Sequence, residues 1–390
     1  MSMPTLPVSP YRSGPLNGLQ PDFASQIIGI SPESLAVAPH HTGRPIGQMN
    51  ILTADTLQLS DPSAKPLSIT QPVPSLALEK TDAIKRFAVI GDAGTGEDGQ
   101  FDIAQGLQRE FQRQPFASTL VLGDNAYPKY QDASQLEAVF DRCIGTPYMP
   151  LKEQGIRFFP VLGNHDVDKQ DFGGLNQLKY WSRLNDIFSN EAQVPRYYSQ
   201  RLGNTEIFAL DATVFFPYYG DSYNKNPQFA VEQAARQLQW LDQALGQSDA
   251  RFKVVYGHYP IYSVTEGKEP PGFVAQWRQL IEPLLNKHGV DVYLAGHNHD
   301  YEKAEVNGVH YFVSGAGGRL AEHKPSEDLF PIYPVEKMIT QRHFMMFEEK
   351  PDGLAYQVIG QDANQQRVIL DEGVIPDKKK SAENLFPVNR

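Results

Sequence analysis

Residues 86–92 read RFAVIGD, a short uninterrupted apolar run that stops on a glycine and a carboxylate. A run of that length without polar alternation is what a strand buried on both faces looks like. The design recurs downstream as STLVLGD (118–124), RFFPVLGNHD (157–166), EIFALD (206–211), FKVVYGH (252–258) and VDVYLAGHNHD (290–300). Helical spacing of apolar residues lies between these runs, in FDIAQGLQREFQRQ (101–114), FAVEQAARQLQWLDQAL (229–245) and VAQWRQLIEPLLNKHG (274–289). Strands alternating with helices predict an α/β architecture with parallel strand order at its centre. Near the end, RHFMMFEE (342–349) and GLAYQVIG (353–360) flank KPDG and predict a β-hairpin, with QRVIL (366–370) a further strand.

The first 84 residues are of another kind. They hold 12 of the chain's 30 prolines and show no sustained periodicity, which predicts a proline-rich, partly ordered arm of extended rather than helical chain. Runs such as SQIIGI and LSITQPVPSLAL are candidate edge strands within it. The start, MSMPTLPVSPYRSGP, lacks the basic region and apolar core of an ordinary signal peptide. The expected division is an N-terminal extension at 1–84, one domain at 85–372, and a solvated tail at 373–390 with lysines at 378–380.

Composition excludes several functions. Across 390 residues, 46 acidic side chains oppose 35 basic ones, and the net charge of −11 disfavours a nucleic-acid partner. No stretch approaches the roughly 18 apolar residues of a membrane span. The single cysteine, Cys143, rules out an internal disulfide framework and a multi-cysteine zinc site.

What the strand runs deliver at their ends is more specific. Asp92, Asp124, Asn164, His258 and the pair His297/His299 each follow an apolar run directly, and Tyr127 stands three residues beyond Asp124. Open α/β sheets bind ligands just past the carboxyl ends of their strands. Carboxylate, amide and imidazole arriving there together make a metal-ligand set. Four of the ten histidines fall in these motifs: His165, His258, His297 and His299. The donors exceed what one ion takes, and a carboxylate can bridge two ions about 3.5–4 Å apart, so the count points to two metals. Oxygen and imidazole donors without thiolate suit iron, manganese or zinc. GTGEDG (94–99) also matches a dinucleotide-binding glycine pattern, but Glu97 and Asp98 would face a pyrophosphate with like charge.

The series GDAG, GDNAY, GNHD, GHYP, GHNHDYE resembles the purple acid phosphatases, a branch of the calcineurin-like metallophosphoesterases. With VSGAG at 313–317 it is most similar to the small, mammalian-type enzymes. The resemblance spans roughly residues 85–372 and does not reach the first 84. It implies a four-layer α/β/β/α sandwich of two mixed β-sheets. It also implies Asp92, Asp124, Tyr127 and His299 on Fe(III), and Asp124, Asn164, His258 and His297 on a divalent ion (Fe, Zn or Mn), with Asp124 bridging. Most of the wider superfamily opens with Asp-x-His. Here that position is Gly94, and Tyr127 offers a phenolate, a hard donor that favours a trivalent ion.

The expected activity is acid phosphatase, the hydrolysis of small phosphate monoesters by hydroxide held on the metal pair. The catalytic candidates are Asn164, holding a phosphoryl oxygen, and His165, protonating or hydrogen-bonding the leaving alkoxide. A structural histidine that orients ligands is the lesser reading of His165, and Asp166, Tyr259 and Asp300 are candidates for that supporting role. A trivalent and a divalent ion against three anionic donors and a hydroxide leave a local charge of about plus one, so an acidic chain can still attract phosphate. Two alternatives stand beside this. One is a phosphodiesterase or nucleotide hydrolase on the same metals, and the other is a non-catalytic binding protein with a structural metal site. No nucleic-acid or membrane partner is expected, and a monomer is favoured. Localisation stays open, since the family is mostly exported while no signal peptide is visible.

Overall fold

The computed structural model describes residues 85–128, 133–167, 174–185, 195–215, 227–265, 273–321 and 333–378. The expected arm at 1–84 and the lysine-rich end beyond 378 lie outside them.

Among the described residues, two sheets form. The first contains β1 (Arg86–Ile90), β2 (Ser118–Val121) and β3 (Arg157–Pro160), together with β11 (His343–Glu349), β12 (Gly353–Gln361) and β13 (Arg367–Pro376), in the order β13-β12-β11-β1-β2-β3. Strands β1, β2 and β3 are parallel, and β11 to β13 continue the sheet antiparallel from β1. The second sheet contains β4 (Tyr198–Leu202), β5 (Thr205–Ala209), β6 (Phe252–Tyr256), β7 (Val292–Ala295), β8 (Tyr301–Val306), β9 (Val309–Ser314) and β10 (Val335–Ile339), ordered β10-β8-β9-β7-β6-β5-β4. Its centre, β5, β6, β7 and β9, is parallel.

Period-two alternation makes the layers. In β1, Phe87 and Val89 face the second sheet, where they pack with Val254, Leu294 and Phe312, while Ala88 and Ile90 face helices. Those helices are α1 (Asp98–Arg113), α2 (Leu136–Phe140), α3 (Thr146–Glu153) and α4 (Leu175–Asn185). On the far side, Phe208, Val255 and Tyr293 pack under α5 (Pro227–Gln247) and α6 (Phe273–Lys287). The result is the four-layer α/β/β/α sandwich expected from the motif series.

The predicted hairpin is β11–β12, and β13 pairs with β12 as the further strand. Strand β13 runs on to Pro376, past the expected domain edge at 372. Four strands escape the sequence reading: β9, VHYFVS, despite its apolar run, and three that carry no readable signal. In YSQRL, YEKAEV and VEKMI charged or polar residues break the apolar run, and their pairing is set by antiparallel neighbours rather than by their own pattern.

Candidate metal centre

Parallel strands bring their carboxyl ends to one edge, and two stacked sheets bring two such edges together. From the first sheet, β1 leads into Asp92, β2 into Asp124 and β3 into Asn164. From the second, β6 leads into His258 and β7 into His297 and His299. Asp92, Asp124 and His297 hold left-handed backbone, with φ of 53°, 52° and 71°. Such a conformation costs a non-glycine residue energy and persists where its surroundings fix it. Here they do: the Asp92 N–H donates to the Gly123 carbonyl at 3.1 Å, and the His297 N–H donates to Asp92 Oδ2 at 2.7 Å.

The side chains converge in two groups. In the first, the Tyr127 hydroxyl lies 3.0 Å from Asp92 Oδ1 and 3.2 Å from His299 Nε2, which is itself 3.5 Å from Asp92 Oδ1. In the second, Asn164 Oδ1 lies 3.0 Å from both His258 Nε2 and His297 Nδ1, and those nitrogens are 3.2 Å apart. Asp124 lies between the groups. Its Oδ1 is 3.5 Å from His258 Nε2, and one ligand atom each from Asp92, Asp124 and His258 lie within 4.8 Å of one another.

These distances test whether a metal pair fits. Donors about 2.1 Å from one ion stand about 3.0 Å apart in octahedral and about 3.4 Å apart in tetrahedral geometry. The separations within each group, 3.0 to 3.5 Å, match those edges. With His258 neutral, hydrogen bonding does not account for its contact with Asn164. His258 Nδ1 faces the Leu122 carbonyl at 2.8 Å, so it carries the ring's proton in the neutral form. Its Nε2 then points a lone pair at Asn164 Oδ1, which can only accept. A cation between them turns this repulsion into coordination.

The local electrostatics point the same way. Burial acts to lower the His258 pKa, but Asp124 and Asp92 outweigh it and raise it. The charge that holds a proton there would equally hold a metal, and the two compete. Burial acts to raise the Asp124 pKa. His258, His165 and the His165 N–H at 2.9 Å overcome it, keeping the carboxyl below the usual range. The Tyr127 phenol is pushed well above its ordinary value by burial and by Asp124 and Asp92, with Arg319 opposing. Only a strongly charged cation would make it a phenolate.

Two glycines explain why the motifs read as they do. A Cβ on Gly94 would lie 2.0 Å from the Asn125 carbonyl carbon, so this loop cannot carry the histidine of an Asp-x-His opening. The Tyr127 N–H donates to the Gly94 carbonyl at 2.8 Å, which ties the tyrosine to the Asp92 loop and sets its phenol beside Asp92 Oδ1. A Cβ on Gly163 would lie 2.2 Å from Asp124 Oδ1, so the glycine before Asn164 makes room for the neighbouring loop's carboxylate.

His165 sits at the rim with 43% of its side chain exposed, Nε2 4.0 Å from Asp124 Oδ2 and its ring 4.7 Å from that of Tyr127. Burial lowers its pKa, partly offset by Asp124, so the free base is favoured. Asp166 is enclosed. It accepts N–H bonds from Asn125 at 2.9 Å and Gly163 at 2.8 Å and the Gln177 amide at 2.7 Å, which locks the Asp124 loop to the Asn164 loop. Burial and the Asp124 charge push its pKa up to about 7. Tyr259 packs its ring 4.9 Å from His297, and Asp300 accepts from the Thr265 hydroxyl.

Sequence reasoning missed Arg319, an exposed residue whose guanidinium carbon lies 4.1 Å from the centre of the Tyr127 ring. It follows β9 in a glycine-rich turn, two residues beyond the VSGAG stretch, which stands out for its glycines and not for this side chain.

A sandwich of two mixed sheets with carboxylate, amide, phenol and imidazole donors at its carboxyl edge defines a metallophosphoesterase. The chain belongs to the calcineurin-like phosphoesterase family, whose profile matches residues 85–301, and it is therefore a hydrolase of that class. It is 28% identical over 276 residues to human tartrate-resistant acid phosphatase type 5 (Homo sapiens), covering 66% of this chain and 80% of the relative. Among solved structures, GAP50, the anchor in the inner membrane complex of Plasmodium, aligns with a TM-score of 0.57 at 18% identity, covering 75% of this chain and 89% of that one. The purple acid phosphatase PPD1 from yellow lupin (Lupinus luteus) seeds aligns with a TM-score of 0.54 at 16% identity, covering 76% of this chain and 55% of that one. Both structures share the fold. Among the described residues, no helix is long and apolar enough to cross a membrane.

Proposed function

We propose that this chain is an acid phosphatase that hydrolyses phosphate monoesters at a dinuclear centre of Fe(III) and a divalent ion (Fe, Zn or Mn). Asp92, Tyr127 and His299 would hold the trivalent ion, Asn164, His258 and His297 the divalent one, and Asp124 would bridge. The observation that carries the reading is the Tyr127 hydroxyl set between Asp92 Oδ1 and His299 Nε2, at 3.0 and 3.2 Å, beside a Gly94 that can carry no side chain. When bound, the metal pair supplies activated water and draws charge from the phosphoryl oxygens.

The rest falls to the chain's own side chains. Asn164 Oδ1 is committed toward His258 and His297, which leaves its amide N–H₂ to donate to a phosphoryl oxygen. His165, exposed at the rim and backed by Asp124 Oδ2 at 4.0 Å, would face the leaving alkoxide, which it hydrogen-bonds as the free base or protonates when it carries a second proton. Asp166 keeps the Asp124 and Asn164 loops in register throughout.

The test is elemental and spectral. Purified protein should hold iron plus one further metal per chain and show a visible absorption band that disappears in Tyr127→Phe. It should cleave phenyl phosphate faster than bis-phenyl phosphate. A colourless protein with two manganese ions would sink the Fe(III) assignment, and a preference for the diester would sink the monoesterase assignment.

A further inference from the structure

The metal ligands account for the floor of the site but not for a cation at its mouth. Arg319 lies in the turn after β9, and that turn is fixed to the ligand residues themselves. Its own N–H donates to the Asp92 carbonyl at 3.2 Å, the Ala321 N–H to the His299 carbonyl at 2.7 Å, and the Gly317 N–H to the Gly91 carbonyl at 2.9 Å. The backbone under Arg319 is thus set by the same residues that build the donor cluster.

The side chain is placed as firmly. Its guanidinium carbon lies over the Tyr127 ring, 4.1 Å from the ring centre, a cation–π position. The same Tyr127 ring stands 4.7 Å from the His165 ring. Arg319 therefore sits one aromatic ring away from the side chain that faces the leaving group. Stacking occupies one face of a guanidinium and leaves its edge of N–H donors to bind in plane.

Among the described residues no carboxylate pairs with Arg319, whose side chain is exposed beside the donor cluster. Two more exposed arginines line the adjoining loops. Arg342 Nε donates to the Gly318 carbonyl at 2.8 Å, and Arg142 Nε donates to the Gly96 carbonyl at 2.8 Å. Neither pairs with a carboxylate among the described residues. With Arg319 they bring three guanidinium groups to the Asp92–Tyr127 side of the mouth, where the exposed Glu97 and Asp98 offset part of their charge.

Building on the phosphatase reading, we infer that Arg319 is a specificity-determining residue that binds a second anionic group on the leaving-group portion of the substrate. The preferred substrates are monoesters, or an anhydride, that carry a carboxylate or a further phosphate close to the bond that breaks. A planar fork of N–H donors suits either group. The arginine touches neither metal nor reacting phosphorus, so its effect should appear mainly in KM and in selectivity between substrates.

The experiment compares the metal-loaded wild type with Arg319→Gln and Arg319→Lys. Phosphoserine and phosphoethanolamine differ by one carboxylate, and pyrophosphate tests the phosphate alternative against phenyl phosphate. Wild type should prefer phosphoserine to phosphoethanolamine, and Arg319→Gln should cut that kcat/KM ratio by about 10-fold to 100-fold, the loss expected for one charged hydrogen bond. The change should lie mostly in KM, with Arg319→Lys recovering part of it. Calorimetry should show the same variant losing affinity for pyrophosphate more than for orthophosphate. A response to pyrophosphate alone assigns the second anion as phosphate, and a response to phosphoserine alone assigns it as carboxylate. Equal losses on all substrates with a shifted visible band would overturn the inference, because Arg319 would then act through Tyr127. Unchanged ratios would overturn it too. Wild type that cleaves no monoester at all would instead refute the phosphatase reading on which this rests.

Discussion

The two sheets bring different chemistry to their shared edge. The first supplies oxygen: the Asp92, Asp124 and Asn164 side chains, with Tyr127 from the loop after β2. The second supplies nitrogen, from His258, His297 and His299. Yet the donors do not group by sheet. Asn164 crosses to lie between His258 and His297, and His299 crosses to lie with Asp92 and Tyr127. Each candidate metal position is therefore incomplete on either sheet alone. A metal bound at either position would draw ligands from both sheets at once.

The largest effect should follow from the one donor that serves both groups. Asp124→Asn keeps the shape but removes the charge proposed to bridge, and we expect turnover to fall by about a thousandfold or more. Elemental analysis should show both metals depleted. Retention of a full metal complement would mean that Asp124 does not bridge.

Single-group variants come next and should separate by half. His297→Asn should lose the divalent ion while keeping iron and the visible band, whereas Tyr127→Phe should lose the band. A His297 variant that turned colourless would show that the groups are not independent. If the metals clamp the sheets together, their removal should also loosen the sandwich. Chelation should lower the unfolding free energy by about 4 kcal/mol at a metal concentration a thousandfold above Kd, and reloading should restore it. Identical melting curves for the stripped and loaded protein would break the link between stacking and binding.

The same contrast explains what was legible in the sequence. Every donor sits directly after an apolar strand or in the loop that follows it, and parallel order sends those ends to one edge. A local pattern thus carried long-range information for Asp92, Asp124, Tyr127, Asn164, His258, His297 and His299. Gln177 had no such marker, and Arg319, though it lies in the loop after the apolar run of β9, is not a metal-ligand type and so does not stand out. Arg319 matters only because the turn after β9 is hydrogen-bonded across to Asp92 and His299, and Gln177 only because α4 lies against the Asp166 loop. Strands β4, β8 and β10 escaped for a related reason: their neighbours, not their own residues, dictate pairing. Periodicity records which face of an element is buried, but it does not record which distant loop will be its partner.

The smallest effect comes from a histidine that joins the sheets without binding metal. His343 opens β11 in the first sheet, and its Nε2 meets the Ser314 hydroxyl, at the end of β9 in the second, at 3.0 Å. Its Nδ1 lies 2.9 Å from the Gln341 carbonyl. Like His258 it is fully buried, but it faces a hydroxyl and a carbonyl where His258 faces carboxylates. The shifts are accordingly opposite: His258 is raised, while burial drives His343 down to about 4 against an ordinary value of 6.5. A depressed histidine binds fewer protons folded than unfolded at acid pH. Its stabilising contribution is therefore complete above pH 6.5 and is lost as the pH falls through about 4. The loss amounts to about 3 kcal/mol. His343→Gln keeps a hydrogen-bonding side chain and removes the titration. Denaturant unfolding of both proteins, stripped of metal, at pH 7 and pH 4 should show the variant losing about 3 kcal/mol less than wild type over that interval. Equal losses would mean that His343 already carries its proton, and that the sheet edge beside the metal centre is wetter than its burial implies.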